Sequence, residues 1–471
     1  MNSKVSWVIT GAVATALWLP AQDVVIKIMG GTSKPALAAP DFRAAGAAAP
    51  HMASFNEALF SDLQNAGMFD MVAKTMYPLQ APQRPEEFRP PAPPPSRPAA
   101  TTKKKKGKQA DEPPPKPVSQ GPWLTDWSAP PANATHLAFG YAAEQAGQFA
   151  VFGWLFDVTQ KDTTAAHLLG KRYFAPLNEQ GARRAAHEFA ADIIAQFGGQ
   201  SLLGSKIFFV SDRTGGQSKE IWSMDPDGAG QKQVTDYKSI STSPAVSPDS
   251  SKLAFTTYAR GNPGIFVHLL ETGRRLTFVN QPASMNASPN FSPDGQMLLY
   301  SSSASGYAQI YSANIDGGNT QRLSNSRAVE VEPKVSPKGG EIAFVSGRSG
   351  TPQVYLMTRD GSNVERLTTG EGDAVNPSWH PNGQVMAFSW SRGYEPGNFN
   401  IFLMDVASRR FEQLTHGMGR NENPTWAPDG RHLVFCSTRS GTPQIWTMLA
   451  DGTKLQQLTT AGKNTMPVWA K

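Results

Sequence analysis

From Lys206 onward, apolar and polar positions recur with a period of roughly 44 residues. Each copy turns on a proline: Ser243-Pro244-Ala245-Val246-Ser247-Pro248-Asp249, then Ser288-Pro289-Asn290-Phe291-Ser292-Pro293-Asp294-Gly295. The turn returns as Glu332-Pro333-Lys334-Val335-Ser336-Pro337, Asn376-Pro377-Ser378-Trp379-His380-Pro381 and Asn423-Pro424-Thr425-Trp426-Ala427-Pro428-Asp429-Gly430, and a truncated copy, Met466 to Lys471, ends the sequence. The leading prolines stand 45, 44, 44, 47 and 43 residues apart. Each full copy runs into an apolar strand: residues 252–258, 296–301, 341–345, 384–390 and 432–438. Second strands follow, such as Gln309-Ile310-Tyr311-Ser312. Asp-Gly pairs at 227–228, 316–317, 360–361 and 451–452 then mark tight turns. A third strand ends in Leu-Thr at 367–368, 414–415 and 458–459. This period with several short strands predicts propeller blades. The last copy has no strand after it, and the first strand, Lys206 to Val210, has no proline turn before it. Joined, they complete one blade, so the sequence predicts an all-β six-bladed propeller over residues 205–471 whose C-terminal strand closes the first blade.

Residues 22–204 read differently. Phe55, Leu59 and Leu63 recur four apart, which predicts a helix within 52–70 that Gly67 closes. Ala186, Phe189, Ala190, Ile193, Ile194 and Phe197 share one face of a second helix over 181–197, ended by Gly198-Gly199. Strands are expected at 136–141, 148–159 and 165–174, so this part reads as a small α/β domain with two helices on a sheet. Residues 78–131 interrupt it with proline runs at 90–95 and 113–115 and lysines at 103–106. Such composition cannot bury a core, and the whole stretch is expected to be a disordered or polyproline-like insertion.

Composition refines this picture. The formal charge of +6 comes mostly from the insertion, where residues 101–120 carry six Lys against one Asp and one Glu. The remainder is nearly balanced, so no broad nucleic-acid-binding surface is expected. Lys4 followed by the short apolar run of residues 5–19 and Leu19-Pro20-Ala21 reads as a signal peptide over 1–21, cleaved at Ala21, and so predicts secretion. The mature chain would then begin with a strand-like segment, Asp23-Val24-Val25-Ile26-Lys27-Ile28. The single cysteine, Cys436, lies in an apolar strand and reads as a buried structural thiol.

The Pro-x-[Trp/Phe]-x-Pro-Asp-Gly turns, clearest at Pro289 to Gly295 and Pro424 to Gly430, resemble those of the TolB family of the Tol-Pal envelope system. The order of secretion signal, strand (Val24 to Ile28), helix with Asp62-Leu63-Gln64-Asn65-Ala66-Gly67-Met68-Phe69, then propeller is similar as well. The resemblance covers the mature chain except the insertion. It implies a non-catalytic, monomeric periplasmic protein, peripheral to the membrane, that links envelope layers and supports outer-membrane integrity and cell division. It implies two partners: a Pal-like outer-membrane lipoprotein on the propeller, and a TolA-like inner-membrane protein on the mature N-terminus, here Asp23, Val24, Val25, Ile26 and Lys27.

By the symmetry of the repeat, the residues before each leading proline, Ser243, Ser288, Glu332, Asn376, Asn423 and Met466, form a ring at the channel mouth. Met285, Asn286, Val331, Asn421, Glu422 and Asn464 neighbour it. The expected partner-binding set is Met285, Asn286, Ser288, Val331, Glu332, Asn376, Asn421, Glu422, Asn423 and Asn464, polar enough to hydrogen-bond a protein loop. Glu332 leads it, because Glu332-Pro333 matches the acidic residue before the turn in the family motif, although Val335 stands where the family has an aromatic. The alternative is a carbohydrate or peptide held in the channel. Enzyme chemistry finds little support: there is no Gly-x-Ser-x-Gly elbow, and His51, His136, His167, His187, His268, His380, His416 and His432 are scattered without metal-ligand spacing. Asp225-Pro226-Asp227-Gly228 lacks the later Glu of a calcium loop and reads as a hairpin turn. No catalytic residue, metal or cofactor is expected.

Overall fold

The computed structural model describes residues 34–89 and 122–471. The signal peptide expected over 1–21, the strand expected at Val24 to Ile28 and the partner segment Asp23 to Lys27 lie outside the described residues.

The N-terminal domain is a mixed sheet with two helices on one face. Its strands are β1 (Ala36–Ala38), β2 (Arg43–Ala44), β3 (Asp70–Met71), β4 (His136–Gln145), β5 (Gln148–Asp157) and β6 (His167–Pro176), in the order β3-β1-β4-β5-β6 with β2 paired to β4. The helices are α1 (Met52–Asn65) and α2 (Glu179–Gln196). In α1, Phe55, Leu59 and Leu63 are buried at the spacing that puts them on one face. In α2, Asn178 caps the first turn by accepting a hydrogen bond from the Gly181 N–H at 2.8 Å, and Ala186, Phe189, Ala190, Ile193 and Ile194 face the sheet. Both helices share a core with Val151 and Leu155 of β5.

The opposite sheet face corrects the extent of the insertion. Phe88, Leu124 and Trp127 are buried against Leu137, Phe139 and Phe156, with Tyr77 and Ala81 packed beside them. Residues 78–89 and 122–131, read from composition as part of a coreless stretch, therefore form a third layer over the sheet. Aromatic side chains set among the prolines supply the apolar area that an averaged composition hides. The Arg89 N–H donates to the Pro122 carbonyl at 3.1 Å, which brings the two flanks together.

The second domain is a propeller of six four-stranded antiparallel sheets. In the first blade, the strand Lys206–Ser211 pairs on its inner side with the C-terminal strand Asn464–Ala470, in the register Asn464↔Ser211 and Trp469↔Ile207. The inner strands of the next five blades are Ser241–Val246, Asn286–Phe291, Glu330–Val335, Ala374–Trp379 and Asn421–Trp426. The outermost strands span two or three residues. The Leu-Thr signature has a physical reason there. Leu367 and Leu458 fill the core, and the Thr hydroxyl accepts from a neighbouring backbone N–H while donating to a buried amide: Val354 N–H to Thr368 to Gln353, and Ile445 N–H to Thr459 to Gln444. Trp379, Trp426 and Trp469, which recur at one place in the repeat, are buried.

The N-terminal domain seats on the end of the propeller where the Pro-Asp-Gly turns lie. Gly67 lies against Leu449 of the last blade: a Cβ there would fall 2.8 Å from the Leu449 side chain, and its φ of +69° is the left-handed conformation that ends α1. Trp469 donates its indole N–H to the Ser205 hydroxyl at 3.0 Å, so the closing strand is also tied to the interdomain connection. Replacing Trp469 with Ala is expected to cost about 3–5 kcal/mol in denaturant unfolding, the range for large aromatics lost from a core. Deleting residues 464–471 should abolish cooperative unfolding of the propeller; an unchanged unfolding curve would contradict closure by this strand.

Candidate functional site: the channel mouth

Each inner strand carries one extra residue against its neighbour, and the six bulges fall at the same place. Pairing skips from Val331↔Val345 to Lys334↔Ala343 in the fourth blade, and the other five slip alike, for example between Thr242 and Ala245 or Thr465 and Val468. The residue before the proline takes up the slip in a left-handed conformation: φ is +50° at Ser243, +53° at Ser288, +56° at Glu332, +54° at Asn376, +55° at Asn423 and +50° at Met466. Non-glycine residues rarely adopt this conformation, at a cost of roughly 1–2 kcal/mol each, and a bulge re-aims the chain where it occurs. The six residues expected to form a ring thus share one backbone device, and all six are half-buried.

Three of them are linked across blades. Both the backbone N–H and the side-chain amide of Asn376 donate to the Glu332 carboxylate, at 2.8 Å and at 3.1–3.2 Å. The Asn423 N–H donates to the Asn376 side-chain oxygen at 3.4 Å and to the Ser389 hydroxyl at 3.1 Å. On the other side of the ring, the Ser288 N–H donates to the Thr256 hydroxyl at 3.0 Å. Val331 and Glu422 are half-buried beside them, and Glu422 pairs with Arg420 at 2.6 Å. Met285 is half-buried, its N–H donating to Ser303.

Asn286, Asn421 and Asn464 are a correction to the expected mouth. Each opens an inner strand with its side chain buried in the blade. Asn421 accepts from Arg439 at 2.8 Å and donates to Asn400 and Gly419; Asn464 accepts from Arg213 at 3.0 Å and donates to Gln444 and Ala461. The guanidinium groups of Arg439 and Arg213 lie over Trp446 and Trp222, 5.0 and 4.6 Å from the ring centres. Asn286 donates to the Gln281 carbonyl at 3.0 Å. Alternation along the strand turns these positions into the blade, where they clamp an arginine or a loop.

Lys334 went unnoticed in the sequence. It occupies the position that holds Ala245, Asn290, Ser378, Thr425 and Val468 in the other copies, so the channel carries a cation two residues from Glu332. Burial lowers the Lys334 pKa against the opposing charge of Glu332. Burial likewise raises the Glu332 pKa; the Asn376 hydrogen bonds and Lys334 oppose the rise, and Glu422 adds to it. Around the same end, Ile240, Tyr258, Tyr307, Val329 and Met418 stand exposed in the loops that lead into or flank the inner strands. The N-terminal domain sits at the other end, and among the described residues nothing covers this one.

The remaining candidates for chemistry are structural. Cys436 is buried, which pushes its thiol up to about 12 and leaves it unreactive. His380 is buried between the turns of two blades, 2.7 Å from the Gly430 carbonyl. Asp225 and Asp227 pair with Lys206 and Arg183. Among the described residues, no cluster of His, Cys, Asp and Glu is arranged to hold a metal ion, and no helix is long and apolar enough to cross a membrane.

The native state holds the Glu332 proton over a pH window in which the unfolded chain has released it, so this group makes stability fall as pH rises through that window. Glu332→Gln is expected to flatten that part of the stability–pH curve. Asn376→Ala, which removes the amide linking blades four and five, should cost about 1 kcal/mol in urea unfolding.

The family described as "TolB beta propeller domain" matches residues 196–394 and 371–471, more than half of the chain. The "Protein TolB homolog" of Chlorobium chlorochromatii (strain CaD3) is 35% identical over 195 residues, 41% of this chain and 42% of that protein. The "Tol-Pal system protein TolB" of Roseobacter denitrificans (strain ATCC 33942 / OCh 114) is 32% identical over 209 residues, 44% of this chain and 45% of that protein. The chain thus spans less than half the length of these curated relatives in alignment. The crystal structure of TolB from Acinetobacter baumannii shares the fold, with a TM-score of 0.72 at 22% identity over 93% of this chain and 97% of that one. The repeats, the closed ring and the family match agree: the chain belongs to the TolB family of β-propeller proteins.

Proposed function

We propose that this protein is a non-catalytic docking component of a Tol-Pal-like system, working in the periplasm after removal of residues 1–21. Its propeller mouth takes a Pal-like outer-membrane lipoprotein. Its mature N-terminus, Asp23 to Lys27, takes a TolA-like inner-membrane protein. The protein thereby supports outer-membrane integrity and cell division. The name of the Roseobacter relative supports assignment to that system.

The observation that carries the reading is the linked trio Glu332, Asn376 and Asn423 at an open channel end, with exposed Tyr258, Tyr307 and Val329 around it. Polar groups held in fixed geometry beside apolar area are the composition of a protein-docking centre. The contact set offered by the mouth is Met285, Ser288, Val331, Glu332, Asn376, Glu422 and Asn423. Asn286, Asn421 and Asn464 support it from within the blades.

Capture by the immobilised soluble domain of a Pal-like lipoprotein tests this. Glu332→Ala and Asn376→Ala should each weaken binding at least tenfold, the loss typical of a hot-spot residue. Exposed Leu79, on the N-terminal domain, provides a control substitution that should leave capture unchanged. Full-strength binding by both mouth variants would place the docking site elsewhere.

A further inference from the structure

One turn of the propeller holds both the end of α1 and the interdomain connection. In the turn after the inner strand of the sixth blade, Arg431 and His432 stand where the other copies have Ser251-Lys252, Gln296-Met297, Gly340-Glu341 and Gln384-Val385. Arg431 donates from Nε to the Ala66 carbonyl and from a terminal nitrogen to the Gln200 carbonyl, both at 3.0 Å. The buried His432 ring lies 2.7 Å from the Asp429 carboxylate through Nδ1 and 2.7 Å from the Asn65 carbonyl through Nε2.

Both neighbours of that ring are acceptors. The Asn65 carbonyl closes α1, where the last four carbonyls lack helical partners and a cation is favoured. Asp429 is buried, which pushes its carboxyl up, but His432 and Arg431 outweigh burial and hold it below the usual carboxylate range. It is therefore ionised and cannot donate. A neutral imidazole has one N–H, so either tautomer sets a nitrogen lone pair against an oxygen lone pair at one of the two contacts. Only the imidazolium makes both bonds.

We propose that His432 is a proton-controlled latch between the two domains: its imidazolium ties the end of α1 to the sixth blade, and loss of one ring proton opens that tie while Arg431 keeps the domains seated. With the imidazolium the contact has both bonds, and with the neutral ring it has one. Other charged groups line a cavity of about 780 Å³ at this contact: Asp62 on α1, Glu179, Arg183, Arg184 and His187 on α2, Lys206, Asp225 and Asp227 on the first blade, and Lys454 on the sixth. His187 is 2.6 Å from Asp62 and joins α1 to α2 within the N-terminal domain; it bonds to no propeller residue, and Asp227 of the first blade acts on it through charge alone.

Two measurements on the full chain test the latch. Nitrogen NMR of histidine-labelled protein at about pH 5.5 should show both His432 ring nitrogens protonated, and at about pH 8.5 only one. Amide exchange in the last turn of α1, residues 63–66, corrected for the intrinsic effect of pH, should quicken about tenfold across that range, the scale of one lost bond to a charged donor. His187→Gln should keep this acceleration and His432→Gln should remove it. A neutral His432 ring at the lower pH overturns the proposal, and so does an unchanged acceleration in His432→Gln. Should that variant not fold, the ring signals of the native protein decide alone.

Discussion

Every blade but the first is a continuous stretch of chain, and the ring depends on how that one is made. The strand Asn464–Ala470 comes from the end of the sequence and lies beside Lys206–Ser211 from the start of the domain. This pairing converts a row of sheets with two free edges into a closed circle. It also fixes where everything else sits. Trp469 on the closing strand reaches Ser205 in the connection to the N-terminal domain, and Arg213 of the first blade reaches Asn464. Weakening the seam therefore disturbs the clamp, the connection and the channel together.

Closure creates the mouth by repetition. Six inner strands slip by one residue at the same height, and each slip is absorbed by a left-handed residue before a proline. One such residue is local strain. Six arranged around an axis bring Glu332, Asn376 and Asn423 close enough to bond from blade to blade, although they stand more than forty residues apart in sequence. The two ends of the ring have different duties as a result. Strand starts, with half-buried polar groups and exposed apolar loops, are uncovered among the described residues; the opposite end carries the N-terminal domain. The turn of the sixth blade shows how little change such a duty needs: Arg431 and His432 replace residues of no common chemistry in the other copies.

Much of this was legible from local pattern. The period, the unmatched first and last strands, both long helices and the three long strands of the N-terminal domain follow from side-chain alternation and helical spacing, which local sequence controls. The flanks of the insertion were not legible as a packed layer. Proline content describes what a segment cannot do alone, whereas Phe88, Leu124 and Trp127 find their partners in Phe139 and Phe156 across the sheet. Lys334 was visible as the one charged residue at its place in the repeat, and the Arg431-His432 pair as a departure from the other turns. Neither has meaning until the channel and the domain contact exist.

The sequence by itself determined the six-fold repetition, the closure of the ring and the residues that stand before each turn, because these rest on periodicity and on contacts each copy makes in the same way. Tertiary structure alone decided which of those residues face the channel. Asn421 and Asn423 are two positions apart and chemically identical, yet one is sealed beneath Arg439 and the other is half-open at the mouth. A bulge between strands sets that difference, and the slip is a property of two paired strands that neither strand records alone.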